Sequence, residues 1–245
     1  MAKINKATVG ILFSEKMFRI TSVFGSLTDD LLALSAKGII ADTFKTIGRD
    51  VHNSQLQLYN KETGVYFSID LENITYTKDL YDSEANYDFA GHLAEFEALW
   101  KVMDSRLKFP SIRRIGYVTE QRVHAGETSN KLLVEKLSRI KPLGFTAKFL
   151  MTFEDRINVG YGGLPDPTKD DFINIIRAYY DSAIDAQHPE VDSINANLDV
   201  QRYYNPYLKG EPFADIKKLK KEYDKVALKF NDDLTMFGTD NAKAA

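Results

Sequence analysis

The chain has 245 residues, 44% of them hydrophobic, and a formal net charge of −3 at pH 7. It contains no cysteine, which excludes disulfide bonds, thiolate metal sites and cysteine nucleophiles. We expect a cytoplasmic protein without membrane contact, because the first residues lack the apolar core of a signal peptide and no later stretch is apolar enough to cross a bilayer. A slightly acidic chain has no general attraction to nucleic acid.

The first predicted elements are a strand followed by helix. Residues 7–20 are predicted to form the strand. Ser26 and Asp29 have the spacing of a capping box, which predicts a helix that begins there. Gly38 is expected to end or kink that helix before a second helical segment over residues 39–47.

Three further elements complete the first half. Apolar residues alternate with polar ones on both sides of a turn at residues 61–64, which predicts a β-hairpin. Asp88 is placed to cap a helix whose apolar residues recur at helical spacing, and His92 is expected to pack among them. The segment RRIGYVTEQRV, after Pro110, predicts a strand.

The second half repeats this order of elements. Thr128 is expected to begin a short helix, and residues 145–153 alternate as in a strand that ends in a turn at Glu154 and Asp155. Thr168 is expected to cap a helix that continues to Ile184. The last two predicted elements are a strand over residues 194–200 and a closing helix over residues 213–234.

Together these elements predict an α+β fold of antiparallel sheets with helices packed on one face. Each half reads strand, helix, antiparallel strands, helix, so we interpret residues 1–125 and 126–238 as two related halves. Residues 239–245 are expected to form a disordered tail. Whether the halves arose by internal repetition stays open, because they share no visible sequence identity.

Three stretches resemble a family when taken together: RRIGYV, NANLDVQRYY and KKLKKEYDKVALKFNDDLTMFG. They resemble a sporadically distributed family of uncharacterised prokaryotic proteins with a central Arg-Ile-Gly strand, a late Leu-Asp-Val strand and a closing helix. The resemblance covers most of the chain from Gln55 onward. It implies no activity and no catalytic residue, and the patchy distribution of the family suggests a link to mobile-element or defence loci.

The stretch NVGYGGLPDPTKDDF, residues 158–172, looks like a phosphate-binding loop. A phosphate-binding loop leads from its glycines directly into a helix, whereas here residues 164–167 intervene and no Lys-Ser or Lys-Thr pair follows. Asp166, Asp170 and Asp171 would also repel an anion. We interpret the stretch as a loop followed by a capped element.

Candidate catalytic groups are few. His124 and Glu127 could act as an acid/base pair in one loop, although two solvated loop residues are the favoured interpretation. A metal-dependent nuclease or phosphohydrolase is the alternative function, and it would need five acids to converge. These acids are Glu154, Asp155, Asp166, Asp170 and Asp171. Ordinary roles in turns and caps are favoured for them, so we expect no metal site and no cofactor.

Candidate binding residues are more numerous. Arg114 and Arg122 lie on the predicted outer side of one strand, where they could grip an anionic ligand or form cross-strand pairs. Arg202, Tyr203 and Tyr204 form a cluster that could stack on bases or contact a protein. With the lysines of the closing helix, that cluster defines a second alternative, an RNA-binding module.

We therefore expect a non-catalytic protein that acts by binding or assembly. Catalysis requires titratable groups that converge, and the candidates here are scattered over predicted loops. The abundance of strand edge favours a protein partner or a homo-oligomer formed by strand addition.

Overall fold

The protein is described by a computed structural model, which covers residues 3–40, 44–50, 54–81, 86–124, 129–139, 149–160, 162–181 and 193–237. The elements of the first half are β1 (Ile4–Phe13), α1 (Ile20–Ala36), β2 (Thr46–Asp50), β3 (Gln55–Asn60), β4 (Val65–Ile69), β5 (Asn73–Asp79) and α2 (Phe89–Leu107). Those that follow are β6 (Ile112–His124), α3 (Ser129–Leu137), β7 (Leu150–Asn158), β8 (Phe172–Asp181), β9 (Ser193–Leu208) and α4 (Phe213–Thr235).

The nine strands form one sheet in the order β2-β3-β4-β5-β1-β6-β9-β8-β7, and every neighbouring pair is antiparallel. The predicted α+β class is therefore confirmed. Strands β1 and β6 pair at the centre, where Gly10 lies opposite Gly116. Outward from this pair, β5, β4 and β3 on one side correspond in order to β9, β8 and β7 on the other. The division into two related halves at residue 125 stays a prediction, because β6 (Ile112–His124), which pairs with β1 at the centre, belongs to the first of these halves.

The helices pack on one face of the sheet. Ring contacts join Tyr76 of β5 to Phe96 of α2, and Tyr117 of β6 to Tyr223 of α4. Side chains at alternate positions of each strand share a face, so these contacts place the core on the side of Val9, Ile115 and Val200 as well. None of the helices formed by the described residues is long and apolar enough to span a bilayer.

Two predictions for the first helical region were wrong. Helix α1 begins at Ile20, so Ser26 lies inside it and donates its hydroxyl hydrogen to the carbonyl oxygen of Val23 rather than capping a helix. The predicted second helical segment instead leads into β2, because Ile47 pairs with Leu58 at the edge of the sheet. The helix does end before Gly38, which adopts a positive φ of 66°.

Two predictions for the second half were also wrong. The segment from Phe172 is strand β8, not a helix; it has apolar residues on both faces, and its spacing therefore imitated a helical stripe. Glu154 and Asp155 lie in the middle of β7 rather than in a turn. Of the strand predicted over residues 145–153, residues 145–148 lie outside the described residues. Ile184 and the tail lie entirely outside them. The hairpin, the Asp88 cap, the strand after Pro110, the strand over 194–200 and the closing helix are confirmed.

Gly64 in the turn between β3 and β4 and Gly38 after the end of α1 form a matched pair of glycine variants. Gly64 has a φ of +68°, and an added Cβ would lie 1.9 Å from the carbonyl oxygen of Asp79. Gly38 has a φ of +66° with nothing within 4 Å of such a Cβ. Gly38→Ala is therefore expected to lower the free energy of unfolding by about 1–2 kcal/mol, the usual cost of a left-handed alanine, and Gly64→Ala by a larger amount. Urea denaturation measures both, and equal losses would contradict the clash at Asp79.

Candidate functional site

The face of the sheet opposite the helices, called the open face below, is the candidate functional site. Ring contacts, hydrogen bonds and ion pairs between helices and strands involve core-side residues, such as Thr119, Arg177 and Arg202. Helices α1, α2 and α4 therefore pack on the core side and do not cover the open face. The residues of the open face include Thr8, Gly10, Ser68, Thr75, Arg114, Gly116, Glu154, Arg156, Phe172, Asn174, Asp199, Gln201 and Tyr203.

A row of cations and aromatic rings, called the aromatic ladder below, crosses four strands of the open face. It consists of Arg114, Tyr203, Phe172 and Arg156. The rings of Tyr203 and Phe172 stack with their centroids 4.7 Å apart and their planes at 5°. The guanidinium of Arg114 lies 5.6 Å from the centroid of Tyr203, and that of Arg156 lies 6.0 Å from the centroid of Phe172. The ladder thus places Arg114, Tyr203 and Arg156, residue types enriched in binding hot spots, on one face of the sheet, and the Phe172 ring, which is only 4% exposed, supports Tyr203 from the side.

A hydrogen-bonded chain continues from the ladder toward the middle of the open face. Arg114 donates to the hydroxyl oxygen of Tyr203 at 3.1 Å, and the Tyr203 hydroxyl donates to Oε1 of Gln201 at 3.2 Å. Gln201 in turn donates from Nε2 to Oδ2 of Asp199 at 2.5 Å. The chain fixes the orientation of the Gln201 amide and gives one carboxylate oxygen of Asp199 a partner.

Two acceptors beside this chain are buried without a hydrogen-bond partner. They are Oδ1 of Asp199 and Oδ1 of Asn174. Burial raises the pKa of the Asp199 carboxyl to about 6, and hydrogen bonding from Gln201 and the charge of Arg114 offset only part of that effect.

A second polar cluster lies near the other end of β6. The guanidinium of Arg122 lies 4.3 Å from the ring centroid of Tyr81 and donates from Nε to Oδ1 of Asn195 at 3.2 Å. Glu120 accepts hydrogen bonds from the hydroxyls of Tyr81 and Tyr180. This part of the open face thus also combines an arginine, Arg122, with tyrosines and an acid, Glu120.

The structure separates the predicted binding residues. Arg114, Arg122 and Tyr203 lie on the open face. Arg202 and Tyr204 lie on the core side, because neighbouring residues of a strand point to opposite faces. The Arg202 guanidinium forms a bidentate ion pair with Asp171 at 2.8 and 3.1 Å, which raises its pKa. It also lies 5.0 Å from the ring centroid of Tyr204.

The five acids of the alternative metal site have separate partners. Glu154 pairs with Arg156 on the open face, whereas Asp155 pairs with Arg177 on the core side. Oδ2 of Asp170 accepts a hydrogen bond from the backbone N–H of Asp166. Among the residues that the structure describes, no group of three histidines or acids could hold a metal ion.

Asp166 and Asp171 complete this set. The side chain of Asp166 accepts hydrogen bonds from the hydroxyl and backbone N–H of Thr168, which lower its pKa to about 2. Thr168 thus belongs to a turn around Asp166 and does not cap a helix. Asp171 is the acid that pairs with Arg202.

The predicted acid/base pair is only partly described. His124 is the last residue of β6 and lies opposite Ser193, whereas Glu127 is outside the described residues. The histidines at positions 52 and 188 are outside them too.

His92 belongs to a buried hydrogen-bond network that sequence reasoning missed. The Tyr87 hydroxyl donates to Nδ1 of His92 at 2.6 Å, and the Nε2 hydrogen is donated to the carbonyl oxygen of Tyr76 at 3.1 Å. Burial, together with the charge of Lys78, lowers the pKa of His92 to about 3, so the ring is neutral. The sequence signal for this network was the spacing of His92 and Glu95, three residues apart, which places both on one side of α2. Glu95 accepts a hydrogen bond from the Tyr76 hydroxyl and forms an ion pair with Lys78.

No protein-family model matches the chain, and a search of curated proteins finds no match either. The resemblance to a sporadically distributed prokaryotic family therefore stays a prediction, and the open face has to be interpreted from its own chemistry.

The raised pKa of Asp199 predicts a specific dependence of stability on pH. The folded protein binds the Asp199 proton more tightly than the unfolded chain, whose carboxyl has its ordinary pKa of 3.8. Stability from this group is therefore lost as the pH rises from about 4 to about 6. Asp199→Asn removes the effect and is expected to raise the free energy of unfolding by about 1–3 kcal/mol more at pH 7.5 than at pH 4.5.

Urea denaturation at the two pH values measures this difference. Asp224→Asn is the control, because that carboxylate is 57% exposed and pairs with Lys220 on the surface of α4. An Asp199→Asn variant whose stability differs from the wild type by the same amount at both pH values would contradict the account.

Proposed function

We propose that the chain is a non-catalytic binding protein that docks a protein partner on the open face. The observation that carries this proposal is the aromatic ladder, which joins Arg114, Tyr203, Phe172 and Arg156 across four strands on the face of the sheet away from α2 and α4. Tyrosine and arginine supply a large share of the binding energy in protein interfaces.

The charges of the open face favour protein over nucleic acid. Arg122 lies beside Glu120, and Arg156 forms an ion pair with Glu154. Arg114 lies close enough to Asp199 for its charge to offset part of the rise in pKa that burial causes, so each of these cations has an acid near it. A phosphate backbone requires an excess of positive charge, which this arrangement does not supply.

The residues of the RNA-binding alternative do not form one surface. Tyr203 lies on the open face, whereas Arg202, Tyr204 and the lysines of α4 lie on the helix side. Several of those lysines pair with acids on the same helix, as Lys220 does with Asp224 and Lys225 with Glu222. A single strand of RNA could not contact Tyr203 and the lysine helix together.

Site-specific photocrosslinking in cells tests the proposal. Benzoylphenylalanine, which resembles tyrosine in shape, is placed at Tyr203 or Tyr66 on the open face, and at Lys229 on the exposed side of α4 as a control. We expect discrete protein adducts from both open-face positions and none from Lys229. Arg114→Ala is expected to reduce the yield of the Tyr66 adduct roughly tenfold, since removing a hot-spot arginine costs more than about 1 kcal/mol.

Adducts that form only at Lys229, or open-face adducts that Arg114→Ala leaves unchanged, would contradict the proposal. An adduct made of RNA rather than protein would favour the alternative class of partner.

A further inference from the structure

The outer edge of β7 is a second surface. Strand β7 is the last strand of the sheet, and no described strand pairs with its outer side. Its large apolar side chains are unusually exposed: Phe153 is 39% exposed and Ile157 is 51% exposed. A nine-residue edge with apolar side chains is a template for pairing with another strand.

The hydrogen bonds between β7 and β8 show which backbone groups of β7 face the outer edge of the sheet. The N–H of Val159 donates to the carbonyl oxygen of Asp171, which lies directly opposite it in continuation of the β7–β8 register. Odd-numbered residues of β7 therefore direct their N–H and C=O groups toward β8. The even-numbered residues Thr152, Glu154 and Arg156 direct theirs to the outer edge.

We propose that β7 pairs antiparallel with β7 of a second copy of this chain, in the register centred on Asp155. Antiparallel pairing requires outward-facing residues to lie opposite each other, so even-numbered residues must pair with even-numbered ones. The register centred on Asp155 satisfies this rule. It places Glu154 of each copy opposite Arg156 of the other, which gives two contacts between opposite charges. Centring on Glu154 or on Arg156 would instead place like charges opposite each other.

The same register matches the apolar side chains. Phe153 lies opposite Ile157 of the second copy, so both exposed side chains lose contact with water on the core side of the sheet. The sheet would continue through the two-fold axis into a second set of nine strands. The charges, the apolar side chains and the outward-facing backbone groups of β7 are therefore all compatible with the register centred on Asp155.

One contact in this register is unfavourable. Each Asp155 lies opposite Asp155 of the second copy, and like charges directly opposite each other destabilise a strand pair. The Arg177 guanidinium lies 3.1 Å from Asp155 and offsets part of this repulsion. It also pairs with Asp233 at 3.2 Å, so it is shared between two acids. Removing the charge of Asp155 should consequently strengthen the dimer.

The interface is expected to be weak. Strand pairing along nine residues buries less than the roughly 1,200 Å² of a typical stable complex, so dimerisation should be followed at protein concentrations from about 10 μM to 1 mM. It shares only Arg156 with the aromatic ladder, so a wild type that stays monomeric would overturn the edge pairing and leave the proposed function standing.

Charge-reversal variants followed by sedimentation equilibrium test the register. Glu154→Arg alone and Arg156→Glu alone each turn two attractive contacts into repulsive ones and should weaken the dimer roughly tenfold or more. An equimolar mixture of the two single variants restores opposite charges at both contacts and should dimerise. The double variant E154R/R156E should dimerise as the wild type does, and Asp155→Asn more tightly.

The exposed pair Glu222–Lys225 on α4 is the matched control, because its atoms are also 2.7 Å apart. Glu222→Arg and Lys225→Glu should leave dimerisation unchanged, alone and in mixture. Circular dichroism checks that every variant is folded. A wild type that stays monomeric at 1 mM, or single reversals that dimerise like the wild type, would overturn the proposal.

Discussion

The one-sided covering of a single antiparallel sheet is the constraint on which the rest of the structure depends. Because side chains of a strand alternate between faces, each strand sends half of its residues to the helices and half to the open face. Strands β1 and β6 follow this rule at the centre of the sheet, where Tyr117 is buried under α4 and Gly116 lies opposite Gly10 on the other face. The hydrophobic core lies on the helix side, and the docking surface that we propose lies on the opposite face.

The same alternation explains why residues that are adjacent in sequence act on different surfaces. Tyr203 joins the aromatic ladder, while its two neighbours form an ion pair and a ring contact beneath α4. Glu154 and Arg156 share the open face, while Asp155 between them meets Arg177 on the core side. Polar residues that are consecutive in the sequence of a strand are therefore divided between the open face and the core side.

Local patterns predicted much of the architecture. Two-residue alternation predicted the β3–β4 hairpin, and helical stripes predicted α2 and α4, because each of these elements buries one face only. Strand β8 was mistaken for a helix because Phe172 and Ile175 are both buried although they lie on opposite faces. The aromatic ladder could not be predicted, since it joins Arg114 to a residue 89 positions away and requires the strand order.

Hydroxyl-radical footprinting of the tyrosines, compared between purified protein and intact cells, tests the central claim most directly. Tyr117 and Tyr223 are buried beneath the helices and should resist oxidation in both settings. Tyr66 and Tyr203 on the open face should be oxidised in the purified protein and protected in cells, where a partner covers them. Equal oxidation of Tyr66 and Tyr203 in both settings would contradict the claim that the open face is a docking surface.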